Sequence, residues 1–226
     1  MFKLNHLMFS ESWKSFLKVR SNILKLIFNF ILLFSTLCAV TTYLNYNEQR
    51  TEVVKLNDPV LNTFTAVDLD TYAFILMYIS IVSFFVFIAF RPKLILIAFT
   101  SYSIVALTRI FMMYLTPLDV PDGAIYFHDP IVTVFGGGTT FMKDLFFSGH
   151  TSLMVLLTLI TFKYEKSSDK ISVTGFDKYY KYFLLAGTIL VAYSVLMQKA
   201  HYAVDVAVAP FIAYTAYRIS IKIYKL

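Results

Sequence analysis

The chain has 226 residues, 58% of them apolar and 15% charged, with a mean hydropathy of +0.67. A water-soluble domain of that length cannot hide so much apolar surface, and the apolar residues fall into runs long enough to cross a hydrocarbon layer about 30 Å thick. The net charge of +6 is carried by cations spread over alternate loops, which argues against the single basic patch of a nucleic-acid-binding protein.

Taken in chain order, the N-terminus mixes apolar, polar and basic residues. The first long apolar run starts only near Ile23 with no small-residue cleavage site after it, so no cleaved signal peptide is expected. Trp13, Phe16 and Leu17 suggest a short interfacial helix. Six spans of about twenty residues follow. They are Leu24 to Leu44, Thr71 to Phe90, Leu94 to Leu115, Leu145 to Phe162, Tyr182 to Ala200, and Val204 to Ile221. The expected fold is all-α, a polytopic bundle of six transmembrane helices. Residues 1–23 form a cytoplasmic or interfacial N-terminal segment, 24–221 one membrane domain and 222–226 a cytoplasmic tail. Cys38 is the single cysteine, which rules out an intramolecular disulfide and a cysteine metal cage.

Loop cations set the orientation, because Lys and Arg in short loops favour the cytoplasmic side. The N-terminal segment carries Lys3, Lys14, Lys18, Arg20 and Lys25, and the loop after the second span carries Arg91 and Lys93. The loop after the fourth carries Lys163, Lys166, Lys170, Lys178 and Lys181, and the tail adds Lys222 and Lys225. The opposite loops are richer in acid: Glu48, Glu52, Asp58, Asp68 and Asp70 in one, and Asp119, Asp122, Asp129 and Asp144 in the other. Both termini are therefore expected inside.

Ionisable groups at membrane depth mark function. His150 stands at the outer end of the fourth span in Ser148-Gly149-His150-Thr151, and His201 and Asp205 at the outer end of the sixth. On a helix, i and i+4 share a face, so Asp205 can hold one imidazole nitrogen of His201 and free the other as nucleophile or base. Two histidines on one membrane face suit attack on phosphorus by one and protonation of a leaving oxygen by the other. His201 and Asp205 also form half of a metal site, but only His128 and Asp129 offer further ligands, at unconvincing spacing; no metal or other cofactor is expected. Arg109, near the outer end of an apolar span, is the best partner for phosphate, unless an outer-loop Asp pairs with it. Lys143 and the backbone N–H groups of Ser148, Gly149 and His150 are supporting donors. Gly136-Gly137-Gly138 lacks the frame of a phosphate-binding P-loop and reads as a flexible outer loop, with Pro117, Pro121 and Pro130 in the same irregular segment. A transporter would place polar groups near the midplane of broken helices. Here they cluster at one face.

Ser148-Gly149-His150-Thr151, followed by His201-Tyr202-Ala203-Val204-Asp205-Val206, resembles the type 2 phosphatidic acid phosphatase (PAP2) superfamily, and within it the sphingomyelin synthase-like branch. Arg109 with Met113-Tyr114-Leu115-Thr116-Pro117-Leu118 and Pro121 is similar to that branch's motif at the end of the third span. The segment Lys143 to Thr151 looks like bacterial members, and the resemblance runs from about Asp58 to Tyr217. It implies a six-helix PAP2-type catalytic domain. His201 would be the nucleophile forming a phosphohistidine, Asp205 its orienter and His150 the acid and then base. Asp144 and Tyr202 would join Arg109, Lys143, Ser148 and Gly149 in binding substrate. The implied donor is a glycerophospholipid and the acceptor ceramide or another lipid hydroxyl, at the outer face of a bacterial inner membrane. A lipid phosphate phosphatase uses the same three residues with water as acceptor. Asp119, Met142-Lys143 and Val195 depart from the family pattern. The first two bear on headgroup choice, and Val195, where phosphatases of the superfamily carry Arg, favours a transferase.

Overall fold

The computed structural model describes residues 13–125, 141–165 and 176–225. Its body is six helices: α1 (Arg20–Glu48), α2 (Asp70–Ala89), α3 (Pro92–Leu115), α4 (Gly149–Glu165), α5 (Phe176–Met197) and α6 (Ala203–Tyr224). Among the described residues the only pairing of β type is an isolated bridge between Val54 and Leu118. In lipid every backbone polar group needs an internal partner, and helices supply it within one segment. Five of the six are long and apolar enough to cross a membrane. The sixth, α4, is shorter.

That shortness corrects the expected span from Leu145. The backbone of 144–148 is not helical, because Phe146 takes a left-handed φ of 44° and the carbonyls of Asp144 and Phe147 accept from Arg109. A short helix is tolerated here because α4 sits at the centre of the bundle, packed on α3, α5 and α6 and touching α2. Ser152, Met154, Leu156 and Ile160 are all buried along it.

The other ends also shift for physical reasons. α1, with 29 residues, is about 43 Å long at 1.5 Å per residue. It overshoots the hydrocarbon layer and carries Asn47 and Glu48 to residues 142–143, where Asn47 Nδ2 donates to Lys143 O and Glu48 Oε2 accepts from Met142 N and Lys143 N. α5 stops at Met197 instead of Ala200. Lys199 has a left-handed φ of 55°, and Lys199 N and Ala200 N turn back onto the carbonyls of Leu196 and Val195.

Core contacts follow the same plan. α3, α4 and α6 form the inner layer, α1 lies on α3, and α2 lies on α5. Only 11% of the apolar stretch of α1 is buried, so Leu24, Ile27, Phe28, Ile31 and Phe34 present an apolar face suited to lipid. What fixes α1 is polar. Asn29 Nδ2 donates to Tyr224 Oη at 2.6 Å, and Thr100 Oγ1 donates to Asn29 Oδ1 at 2.7 Å. Ser101 and Ser220 join α3 to α6, and Thr158 and Thr188 join α4 to α5. Each such bond in a membrane contributes about 0.6 kcal/mol.

At the end opposite the long loops, residues 13–17 are helical. Trp13 Nε1 donates to Ala89 O and Phe16 is buried, so these rings pack on protein and only Leu17 of the three expected anchors is exposed.

Candidate active site

Two helix N-termini meet at the other end of the bundle. Ser148, just ahead of α4, donates its backbone N–H to Asp205 O in the first turn of α6. Its hydroxyl donates to Thr151 Oγ1 at 3.0 Å and accepts from Thr151 N, which caps α4. His150 lies in that first turn with Phe74 of α2 edge-on to its ring, centroids 5.7 Å apart. The bond between Ser148 and Asp205 therefore fastens the Ser-Gly-His segment to the His201 and Asp205 segment.

His201 Nδ1 and Asp205 Oδ2 are 3.1 Å apart, with His201 4% exposed and Asp205 fully buried. A carboxylate only accepts, so the Nδ1 proton points at Asp205 and Nε2 is left with its lone pair. The pairing expected from one helix face is present, yet it is built otherwise. α6 begins at Ala203, so His201 lies outside it, and the chain reaches Asp205 through a capping turn in which Asp205 Oδ2 also accepts from Tyr202 N at 3.2 Å.

Arg109 crosses from α3 to the start of α4. Its Nε donates to Phe147 O at 2.8 Å, its Nη2 to Asp144 O at 3.2 Å, and Nη2 lies 2.5 Å from Asp144 Oδ1. The guanidinium rests on Gly149: a Cβ there would fall 2.5 Å from Nη1 and 2.7 Å from Cζ. Glycine at 149 thus serves close approach. Nη1 has no hydrogen bond among the described residues and remains available for an anion at the N-terminus of α4. Asp144 is a fixed counter-ion for Arg109. That pairing was the structural alternative to phosphate binding, and the geometry accommodates both.

Two of the expected substrate contacts, Lys143 and Tyr202, have partners within the protein. Lys143 Nζ donates to the carbonyls of Glu48 and Arg50, at 3.3 and 2.6 Å, and so closes the C-terminal end of α1. The Tyr202 hydroxyl donates to Asp119 O at 2.9 Å and accepts from Leu56 N at 3.1 Å, stitching the two long loops together beneath the site. Burial pushes the Tyr202 phenol above its ordinary range, so it stays a neutral donor.

One residue counted only as a loop charge proves central. Asp58 Oδ2 accepts from Ala203 N, the first residue of α6, at 2.6 Å, while Oδ1 accepts from Val60 N and Leu61 N. It caps the helix that holds Asp205. The signal in the sequence is an Asp-Pro pair, a turn former, but nothing local names its partner. His128, Asp129 and Gly136-Gly137-Gly138 lie outside the described residues.

Residues 143–222 match the family model described as PAP2 superfamily C-terminal. Over those residues the chain is similar to the PAP2 superfamily. The PAP2 segment contains His150, His201 and Asp205 and leaves Arg109 and Asp58 outside it. That likeness points to lipid phosphatase or phosphotransferase chemistry, and the apolar helices to a multi-pass membrane protein. A comparison with curated proteins gives no match.

Proposed function

We propose that the chain is a membrane lipid phosphotransferase of the sphingomyelin synthase-like kind, moving a phospho-alcohol headgroup from a glycerophospholipid to ceramide or a similar lipid hydroxyl. One observation supports the reading: Ser148 N–H donates to Asp205 O, which ties the Ser148-Gly149-His150 turn, with Arg109 resting on Gly149, to the turn in which Asp205 pairs with His201. In the first half-reaction His201 Nε2 attacks phosphorus, the bond from phosphorus to the diacylglycerol oxygen breaks, and His150 gives that oxygen a proton. In the second, the acceptor hydroxyl yields its proton to His150, its oxygen attacks phosphorus, and the N–P bond breaks. Arg109 Nη1 takes charge on the phosphoryl oxygens, and Asp205 stabilises the imidazole once it is substituted. Val195, fully buried in the core, puts no cation where superfamily phosphatases carry Arg. Alternating loop cations support a reading with this end of the bundle outside and both termini inside.

Purified protein in vesicles, given phosphatidylcholine, phosphatidylethanolamine or phosphatidylglycerol with labelled headgroups, is expected to label ceramide, and His201→Ala to abolish the transfer. Release of free phosphate from a phosphomonoester lipid with no need for ceramide would refute the transferase and establish the phosphatase. An impermeant thiol reagent in intact cells is expected to reach a cysteine placed at Asp122 and not one at Lys170. The reverse would move the site to the cytoplasmic face.

A further inference from the structure

At the site end of the bundle, four of the five cations among the described residues are engaged. Arg109 bonds Phe147 O and pairs with Asp144, Lys143 is held by carbonyls, Arg50 reaches Asn47 and the carbonyls of Met113 and Tyr114, and Lys55 pairs with Asp122. The fifth is Lys199. Its ammonium has no hydrogen bond or ion pair among the described residues and stands over the Phe64 ring, 5.4 Å from the centroid. Beside it is the turn at Gly123, where a Cβ would lie 3.9 Å from Lys199 Nζ.

Its backbone makes the choice of residue informative. With φ at 55°, Lys199 occupies the left-handed position that closes α5, a place glycine fills without steric cost. A β-carbon here is strained, and strain retained beside a site is a pointer to use. Lys199 stands two residues before His201, so their Cα atoms are at most about 7.6 Å apart. A donor headgroup that extends beyond a phosphorus held at His201 therefore lies close to the turn that carries the Lys199 ammonium. The ammonium also covers the aromatic face that would attract a quaternary amine.

We propose that Lys199 reads the donor headgroup, selecting glycerophospholipids whose headgroup carries no amine, and which are therefore net anionic, over choline- and ethanolamine-bearing ones. A polyol or a bare phosphate accepts a hydrogen bond from Nζ, whereas a headgroup cation is repelled. The preference is about tenfold, the order expected of one unit-charge interaction across about 10 Å at an effective dielectric near 20. The inference rests on His201 as the transferring residue.

The test uses the full chain in vesicles containing either phosphatidylglycerol or phosphatidylcholine at equal mole fraction, with diacylglycerol formation as the readout, since donor cleavage releases it whatever the acceptor. The wild type is expected to cleave phosphatidylglycerol about tenfold faster. Lys199→Gly is expected to bring the ratio near one with a melting temperature equal to or above that of the wild type, and Lys199→Arg to keep the preference. A ratio unchanged in Lys199→Gly, or absent in the wild type, overturns the proposal while an inactive His201→Ala leaves the site standing. Full diacylglycerol formation by His201→Ala overturns the site itself.

Discussion

Gly149→Ala tests the geometry at its tightest point. The new methyl would sit 2.5 Å from Arg109 Nη1 and 2.7 Å from Cζ, whereas carbon atoms rest at about 3.5–4.0 Å. The guanidinium must retreat by roughly 1 Å, and its flexible stem allows this at the expense of the bonds that place it. Those bonds run to Phe147 O at 2.8 Å and to Asp144, both at the entrance of α4. Losing one charged hydrogen bond costs about 1.5–3 kcal/mol, and displacing a charge-stabilising group by about 1 Å lowers turnover about a hundredfold. Stability should therefore fall modestly while kcat falls steeply. The assay pairs diacylglycerol release with a thermal melt of the purified protein in detergent. A variant that keeps half of wild-type kcat refutes the placement of Arg109 as the phosphate's partner.

Asp58→Ala strips the cap from Ala203 N and frees Val60 N and Leu61 N. The loss is about 1–2 kcal/mol of stability with a lowered kcat. Asp58→Asn keeps one acceptor oxygen but turns an N–H toward the other donor, so it restores only part of the loss, as melts and rates of the two variants side by side will show. Tyr202→Phe removes the tie to Asp119 O and Leu56 N, at about 1–3 kcal/mol. Because burial raises the phenol, its contribution is fully present below the unfolded value near 10 and is lost only as pH rises through the higher folded value. The melting difference from wild type should stay constant from pH 6 to 9 and narrow above 10; narrowing in the neutral range would contradict the buried neutral hydroxyl.

Much of the fold was legible because lipid simplifies the code: each apolar run of sufficient length is a helix, and α2, α3 and α6 begin and end within a few residues of their runs. The boundaries that moved did so where tertiary partners outweighed the run. Leu145 and Phe147 are apolar and buried, yet the carbonyls of Asp144 and Phe147 serve Arg109 and the helix begins only at Gly149. Asn47 and Glu48 are polar, yet they remain in α1 because residues 142–143 satisfy them. Within the site, His201, Asp205, His150 and Arg109 were visible as charges that an apolar chain has little other reason to hold. Asp58 was not, since its partner amide is 145 positions away. The partners of Lys143 and Tyr202 within the protein were not legible either, because residue type and position do not say where a long side chain ends.

The division of charge between the two helix ends suits one of them to the anion of the proposed reaction. An N-terminus carries roughly half a positive charge on its unpaired N–H groups. At α6 those groups are answered by carboxylates, Tyr202 N by Asp205 and Ala203 N by Asp58, so this end carries compensating negative charge and suits a ring nitrogen that must become positive on attack. At α4 the capping group is the neutral Ser148 hydroxyl, and the nearest charge is the Arg109 guanidinium lying against Gly149. Asp144 pairs with the Nη2 edge of that guanidinium, so what this end offers an anion is the Nη1 edge and the N–H groups that open α4. A phosphoryl group placed between them is drawn to α4 by Arg109 and faces a nucleophile at α6 whose developing charge Asp205 offsets. The same three charged residues in the reverse arrangement, with the carboxylates at α4 and the arginine at α6, would repel a phosphoryl group from α4 and oppose the charge that the proposed attack puts on His201.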